Sequence, residues 1–262
     1  MPEAARADLS KTRILVTNDD GIHAPGLKVL EKIAKQLSND VWVVAPETEQ
    51  SGAGHSLTLT LPLRVRQVSR RKFAVRGTPT DCVMMAMNQL VSGNRPDLVL
   101  SGVNRGANMG EDVTYSGTIA AAMEGTLLGV PSVALSQTYL NSHPPKWATA
   151  EHHGPDLIRR LVAIGWPSDV LMNINFPDVL HGAVKDVVVC RQGRRDISNL
   201  HIDARIDARE QPYYWLGFRP RKGNPKPNTD LAVVEAGNIS VTPLQLDLTD
   251  NRTLKSLRAA LT

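Results

Sequence analysis

Two adjacent carboxylates, Asp19 and Asp20, stand just after the apolar run Ile14-Leu15-Val16 and directly before Gly21. Two ionised acids side by side repel each other unless a cation lies between them. A hard divalent ion such as Mg²⁺ takes oxygen ligands and few protein carboxylates, so it suits this pair. An Asp-Asp-Gly turn with both acids in water is the other reading of the same residues. Further along, Ser51 lies in the polar loop Glu47–Ser56, and Asn104 and Asn108 lie in the glycine-rich stretch Gly102–Gly110. Ser116-Gly117-Thr118 precedes an alanine-rich segment. These residues offer carboxylates, a hydroxyl and amide carbonyls, the donor types a hard cation accepts. The backbone N–H groups of Ser116–Thr118, at a helix start, suit a phosphate. Together they would suit a hard cation with a phosphate beside it. Each also has a plainer role. Ser116 can simply cap a helix, Gly102–Gly110 can be surface loop, and His55 can be an acid or base, a solvated side chain or a structural hydrogen-bonding group.

Strands are expected at Arg13–Asn18, Val41–Ala45, Phe73–Arg76, Asp97–Ser101 and Ser132–Ser136. Helical segments lie between them. Leu27, Leu30, Ala34 and Leu37 recur at helical spacing, Thr80 or Asp81 can cap Cys82–Leu90, and Ser116 can cap Ile119–Leu128 before Gly129 and Pro131. This alternation is the βαβ pattern of a Rossmann-like, doubly wound α/β fold with a mostly parallel sheet. Ligands in such sheets bind beyond the carboxyl ends of the strands. Parallel strands would therefore gather Asp19, Asp20, Ser51, Asn104, Asn108, Ser116 and Thr118 on one edge. A helix over Trp147–Ile164 and a strand over Val170–Asn175 follow.

Beyond Asp178 the character changes. Val187–Cys190, Tyr213–Phe218, Leu231–Val234 and Ile239–Thr242 read as strands, the last two flanking a turn at Gly237-Asn238, and Asp250–Leu261 as a short terminal helix. The Arg-rich, proline-containing stretch near 190–230 reads as a hairpin excursion from the main sheet. The expected organisation is a flexible N-terminal arm over residues 1–10, a core over 11–190, and a C-terminal segment over 191–262 of hairpin, return strands and terminal helix.

The 262 residues suit one large domain, and 42% hydrophobic content is enough for a core built without many aromatics. A net charge of +4 is compatible with an anionic substrate and does not require nucleic acid. Asp196, Asp203, Asp207 and Glu210 interleave the basic residues of 191–226, which argues for a solvated or subunit-facing hairpin over a nucleic-acid surface. No apolar run has membrane-spanning length, and Met1–Ser10 lacks a secretory apolar core. Cys82 and Cys190 sit in apolar contexts, so buried free thiols and a cytoplasmic location are expected.

Several ordered motifs resemble the SurE survival-protein family: Asn18-Asp19-Asp20-Gly21-Ile22-His23-Ala24-Pro25-Gly26, Val44-Ala45-Pro46 with Gln50-Ser51-Gly52, and Gly77-Thr78-Pro79-Thr80-Asp81-Cys82. Ser101-Gly102-Val103-Asn104, with Gly106, Asn108 and Gly110, and Asp112–Thr118 continue the match, and Val241-Thr242-Pro243-Leu244 with Asp247-Leu248-Thr249 extend it towards the C-terminus. The resemblance implies a metal-dependent phosphomonoesterase that hydrolyses nucleoside 5′- and 3′-monophosphates by metal-assisted attack of water, with an exopolyphosphatase activity beside it. By matching position it implies one Mg²⁺ or Mn²⁺ on Asp19, Asp20, Ser51 and Asn104, with Asp19 and Asp20 as catalytic carboxylates. Asn108, Ser116, Gly117 and Thr118 would surround the substrate phosphate. It further implies a homodimer or homotetramer in which the C-terminal segment exchanges elements. Asn228-Thr229-Asp230 and Gly237-Asn238 depart from the family's usual Asp/Gly-Thr-Asp and Gly-Tyr, outside the metal motif. An aspartyl phosphate on Asp19 is a competing mechanism, disfavoured because Gly21 stands where such enzymes place a second acid. A non-catalytic nucleotide or phosphate sensor is the alternative from another class; the complete donor set argues against it.

Overall fold

The computed structural model describes residues 6–140, 143–194, 200–218 and 225–261. Among the described residues, eleven strands and six α-helices follow in chain order. They are β1 (Arg13–Thr17), α1 (Pro25–Leu37), β2 (Asp40–Pro46), β3 (Arg64–Ser69), β4 (Lys72–Arg76), α2 (Pro79–Met85), β5 (Leu98–Arg105), α3 (Gly117–Leu127) and β6 (Ser132–Gln137). Then come α4 (Trp147–Ile164), β7 (Val170–Phe176), β8 (Val187–Val189), β9 (Leu200–Ile206), β10 (Pro212–Phe218), α5 (Asp230–Glu235), β11 (Ile239–Gln245) and α6 (Asn251–Leu261).

Nine strands form one sheet in the order β3-β4-β2-β1-β5-β6-β7-β11-β8. The run from β4 to β7 is parallel throughout. Alternation along the strands divides the core between two faces. Ile14 and Val16 of β1 join Val43 and Ala45 under α1 and α4, while Leu15 and Val44 point to the layer of α2. Helices therefore cover both faces, as the sequence pattern requires. From β1 the chain steps outward to β2 and β4, then returns to place β5 on the other side of β1. The loops after β1 and β5 thus flank the switch point of a doubly wound sheet. The crossovers β5-α3-β6 and β6-α4-β7 step the same way but use opposite faces, so they have opposite hands, one against the usual right-handed rule.

Four expectations are corrected. Leu231–Val234 is not a strand but part of α5. A four-residue apolar run has no period of its own, and burial at Asp230, Val233 and Val234 follows helical spacing. β3 lies outside the expected strands; all six of its residues are exposed, so no buried face marks it in the sequence. The cap of α2 is Thr78, whose Oγ1 accepts from the Asp81 amide at 3.1 Å while Asp81 Oδ2 accepts from the Thr78 amide at 2.8 Å. β5 runs on to Arg105 through an irregular register between Ser101 and Asn104, which puts Asn104 on a strand end rather than in a free loop.

Residues 6–10 lie against α4: the Ala7 amide donates to the Arg159 carbonyl at 3.1 Å, and Leu9 is buried. Residues 1–5 of the arm lie outside the described residues. β11 pairs antiparallel with β7 and parallel with β8, inside the main sheet. β9 and β10 form a separate antiparallel hairpin. Cys82 and Cys190 are free and buried. Among the described residues no helix is long and apolar enough to cross a membrane.

Candidate active site

Four chain segments meet beyond the carboxyl ends of β1, β2 and β5. The first is the turn after β1. Buried Asn18 donates from Nδ2 to the Gly21 carbonyl at 3.0 Å and closes that turn. Gly21 adopts φ +97°, and a Cβ there would lie 3.2 Å from the Thr48 carbonyl carbon and 3.3 Å from the Glu49 nitrogen. Only glycine permits both the angle and the approach. The β1 turn is thereby fastened to the loop after β2. The Ile22 amide donates to the Pro46 carbonyl and the Gln50 amide to the Asp19 carbonyl, each at 2.8 Å. This brings Ser51 to the site, exposed, with its hydroxyl donating to Glu49 Oε1 at 2.9 Å. Its oxygen keeps lone pairs for a cation.

The third segment is the end of β5. The Arg105 amide donates to Asp20 Oδ2 at 3.1 Å, so the Asp20 carboxylate sits beside Asn104. Asn104 donates from Nδ2 to the Gly106 carbonyl at 3.0 Å, which leaves its Oδ1 as the acceptor. The fourth is the N-terminus of α3. Ser116 caps it, accepting from the Ile119 amide at 3.1 Å, as its position in the sequence suggests. Thr118 Oγ1 donates to Asp19 Oδ1 at 2.6 Å. A Cβ on Gly117 would lie 2.7 Å from the Asp19 Cβ, so glycine lets α3 press its first turn against this carboxylate.

Asp19 is only 4% exposed. Burial pushes its carboxyl up, with the Thr118 hydrogen bond opposing and Glu49 adding to the shift. Asp20 is pushed up to about 6, first by burial and then by the charge of Asp19. A cation between the two would relieve both effects. Among the described residues no three His, Cys, Asp or Glu side chains converge as a metal cage. A hard ion here would complete its shell with hydroxyl, amide and water oxygens, the donors that Ser51 and Asn104 present.

Asn108 is placed differently. It is buried, its amide donates to Asn175 Oδ1 at 2.8 Å and its Nδ2 to Ser136 Oγ at 2.8 Å. Its carbonyl accepts from Asn173 and Asn175. Any contact with a phosphate falls to the second hydrogen of the same NH₂. Glu111 pairs with Arg194 at 3.5 Å. His55 Nε2 lies 3.0 Å from Glu124 Oε2, tying the Ser51 loop to α3. Three contributors escaped the sequence reading: Glu49, Arg105 and the Asn173–Asn175 pair. The last had a signal, since two asparagines at period two on one strand face are rarely buried without partners.

Comparison with known proteins yields a consistent set of relatives. The family model described as "Survival protein SurE" matches residues 14–199. A protein of Parvibaculum lavamentivorans named "5′-nucleotidase SurE" is 60% identical over 259 residues, 98% of this chain and 94% of its own. One of the same name from Caulobacter vibrioides is 57% identical over 252 residues, covering 95% and 96%. Among solved structures, the SurE protein of Aquifex aeolicus is similar with a TM-score of 0.82 at 37% identity, over 95% of this chain and all of that one.

Proposed function

The chain belongs to the SurE survival-protein family, and on that premise we propose that it is a 5′-nucleotidase, a phosphomonoester hydrolase that splits nucleoside 5′- and 3′-monophosphates into nucleoside and phosphate. The observation that carries this reading is the pair Asp19 and Asp20, both pushed towards protonation, at the switch point and against the first turn of α3. The donor set fits one Mg²⁺ or Mn²⁺ held by Asp19, Asp20, Ser51 and Asn104. Bound there, the ion supplies Lewis acidity that offsets phosphoryl charge and eases deprotonation of water.

The chain's own residues do the rest. Thr118 fixes the rotamer of Asp19 through Oγ1, and the Arg105 amide fixes Asp20 through Oδ2. With Oδ2 so held, the Asp20 carboxylate would help hold the ion and orient the attacking water. Gly117 bares the backbone at the start of α3, where N–H groups and the helix dipole favour the charge gathering on the phosphoryl oxygens. Glu49 holds the Ser51 hydroxyl in place. Positioning and charge stabilisation account for the catalysis, and no covalent enzyme intermediate is required. A cytoplasmic homo-oligomer fits the buried free thiols and the exposed apolar hairpin described below.

The test is phosphate release from a panel of 5′- and 3′-nucleotides and linear polyphosphate, with EDTA and then with Mg²⁺ or Mn²⁺ restored. Release from nucleotides that EDTA abolishes and either metal restores is the expected result. Nucleotide binding with no release under any metal would replace the hydrolase with a sensor.

A further inference from the structure

We propose that the cleft walled by Arg105, Tyr139 and Trp147 receives the nucleobase of the substrate; this rests on the nucleotidase reading above. The cleft has a volume of about 730 Å³ and also touches Pro25, His143 and the prolines that follow it. Its position is the first argument. Arg105 follows Asn104 directly and gives its amide to Asp20, so the cleft wall begins where the candidate metal ligands end. Pro25 opens α1 just beyond the Asp19–Asp20 turn, and Tyr139 lies two residues past β6. The cleft thus shares the carboxyl edge of the sheet with the phosphoester site, where a ligand with one anionic end and one apolar end fits.

Composition is the second argument. The Arg105 guanidinium carbon lies 5.3 Å from the Tyr139 ring centroid, a cation–π contact that fixes the ring beside the site. Gly26 lets α1 close on β5 and on the Trp147 indole; a Cβ there would lie 1.9 Å from the Val103 carbonyl oxygen and 3.1 Å from Trp147 Cη2. His143 has both ring nitrogens engaged, Nδ1 at 2.9 Å from the Pro144 carbonyl and Nε2 at 3.1 Å from Asp178 Oδ2. It therefore contributes ring surface rather than a free hydrogen-bonding edge. A wall of rings and prolines with one guanidinium suits a flat, apolar, π-rich group. A polyphosphate chain would need several cations, and here Arg105 stands with a histidine already bound to a carboxylate.

Stacking on Tyr139 does not read the edge of a base, so the cleft should accept all bases and favour purines for their larger faces. The test compares adenosine 5′-monophosphate with ribose 5-phosphate, which lacks the base, in the wild type, Tyr139→Ala and Tyr139→Phe. The ratio of their kcat/KM values should fall roughly 5- to 100-fold in Tyr139→Ala and be largely kept in Tyr139→Phe. A second measurement, calorimetric binding of adenosine to wild type and both variants, needs no turnover and should show the same order. An unchanged ratio with unchanged adenosine affinity overturns the base subsite and leaves the nucleotidase reading standing. Release from neither ester overturns that reading; adenosine binding then decides the cleft, equal affinity in wild type and Tyr139→Ala refuting it.

Discussion

At the residue scale the site rests on two carboxylates that folding makes costly to ionise. Asp20 moves from an ordinary value of 3.8 to about 6, led by burial. Between those values the native state holds a proton that the unfolded chain has released, so stability falls as pH rises through the window. Metal-free protein should therefore melt a few degrees higher at pH 5 than at pH 7. A divalent ion competes with that proton, so Mn²⁺ should raise the melting temperature more at pH 7.5 than at pH 5; calorimetric scans with EDTA and with metal check both. Gly117 makes a separate prediction. The methyl of Gly117→Ala would meet the Asp19 Cβ at 2.7 Å, so either α3 or the carboxylate must shift. Overpacking of this kind costs about 1–3 kcal/mol, while displacement of a catalytic group by about 1 Å can lower the rate roughly 100-fold. The variant should stay folded by circular dichroism and lose most of its phosphate release. Asp19, Asp20 and Asn104 are legible in the sequence because they sit next to apolar strands. The Thr118–Asp19 bond is not, since it joins residues 99 apart and only the packing of α3 on the β1 turn creates it.

At the scale of elements, the parallel core is legible because its strands are short apolar runs and its helices carry an apolar face. Where no face is buried the pattern vanishes, as in β3. Where the run is too short, propensity misleads, as in α5. What fixes α5 is a single buried acid. Asp230 is fully buried and accepts from the amides of Gly110, Gly193 and Leu231 at 2.8–2.9 Å. It joins α5 to the turn that leads to Ser116. Asn228, two residues before it, takes φ +61°, a conformation that glycine, asparagine and aspartate adopt, so asparagine is tolerated there. Removing the acceptor in Asp230→Ala leaves backbone donors unpaired at about 1–3 kcal/mol each. The melting temperature should drop by at least about 5 °C, and phosphate release should fall with it as the 110–116 turn loosens.

At the scale of the whole molecule, the hairpin of β9 and β10 makes no ladder with the main sheet and leaves Ile206, Tyr214, Trp215 and Leu216 exposed. No residue of α6 is buried, and its Leu257 and Leu261 face solvent. A two-stranded hairpin is marginal in water unless something covers it, and patches of this kind mark interfaces. The protein should therefore run as a dimer or tetramer by light scattering, and Trp215→Asp should shift the population to smaller species. Whatever the subunit count, the proposed chemistry rests on the carboxylate pair. One comparison tests that claim most directly: Mn²⁺ titrated calorimetrically into metal-free wild type and Asp19→Asn, with phosphate release from a nucleoside monophosphate measured on the same samples. The wild type should bind one ion per chain and turn over, whereas Asp19→Asn should bind markedly more weakly and lose at least about 100-fold in kcat. Equal turnover by a folded Asp19→Asn would contradict that claim.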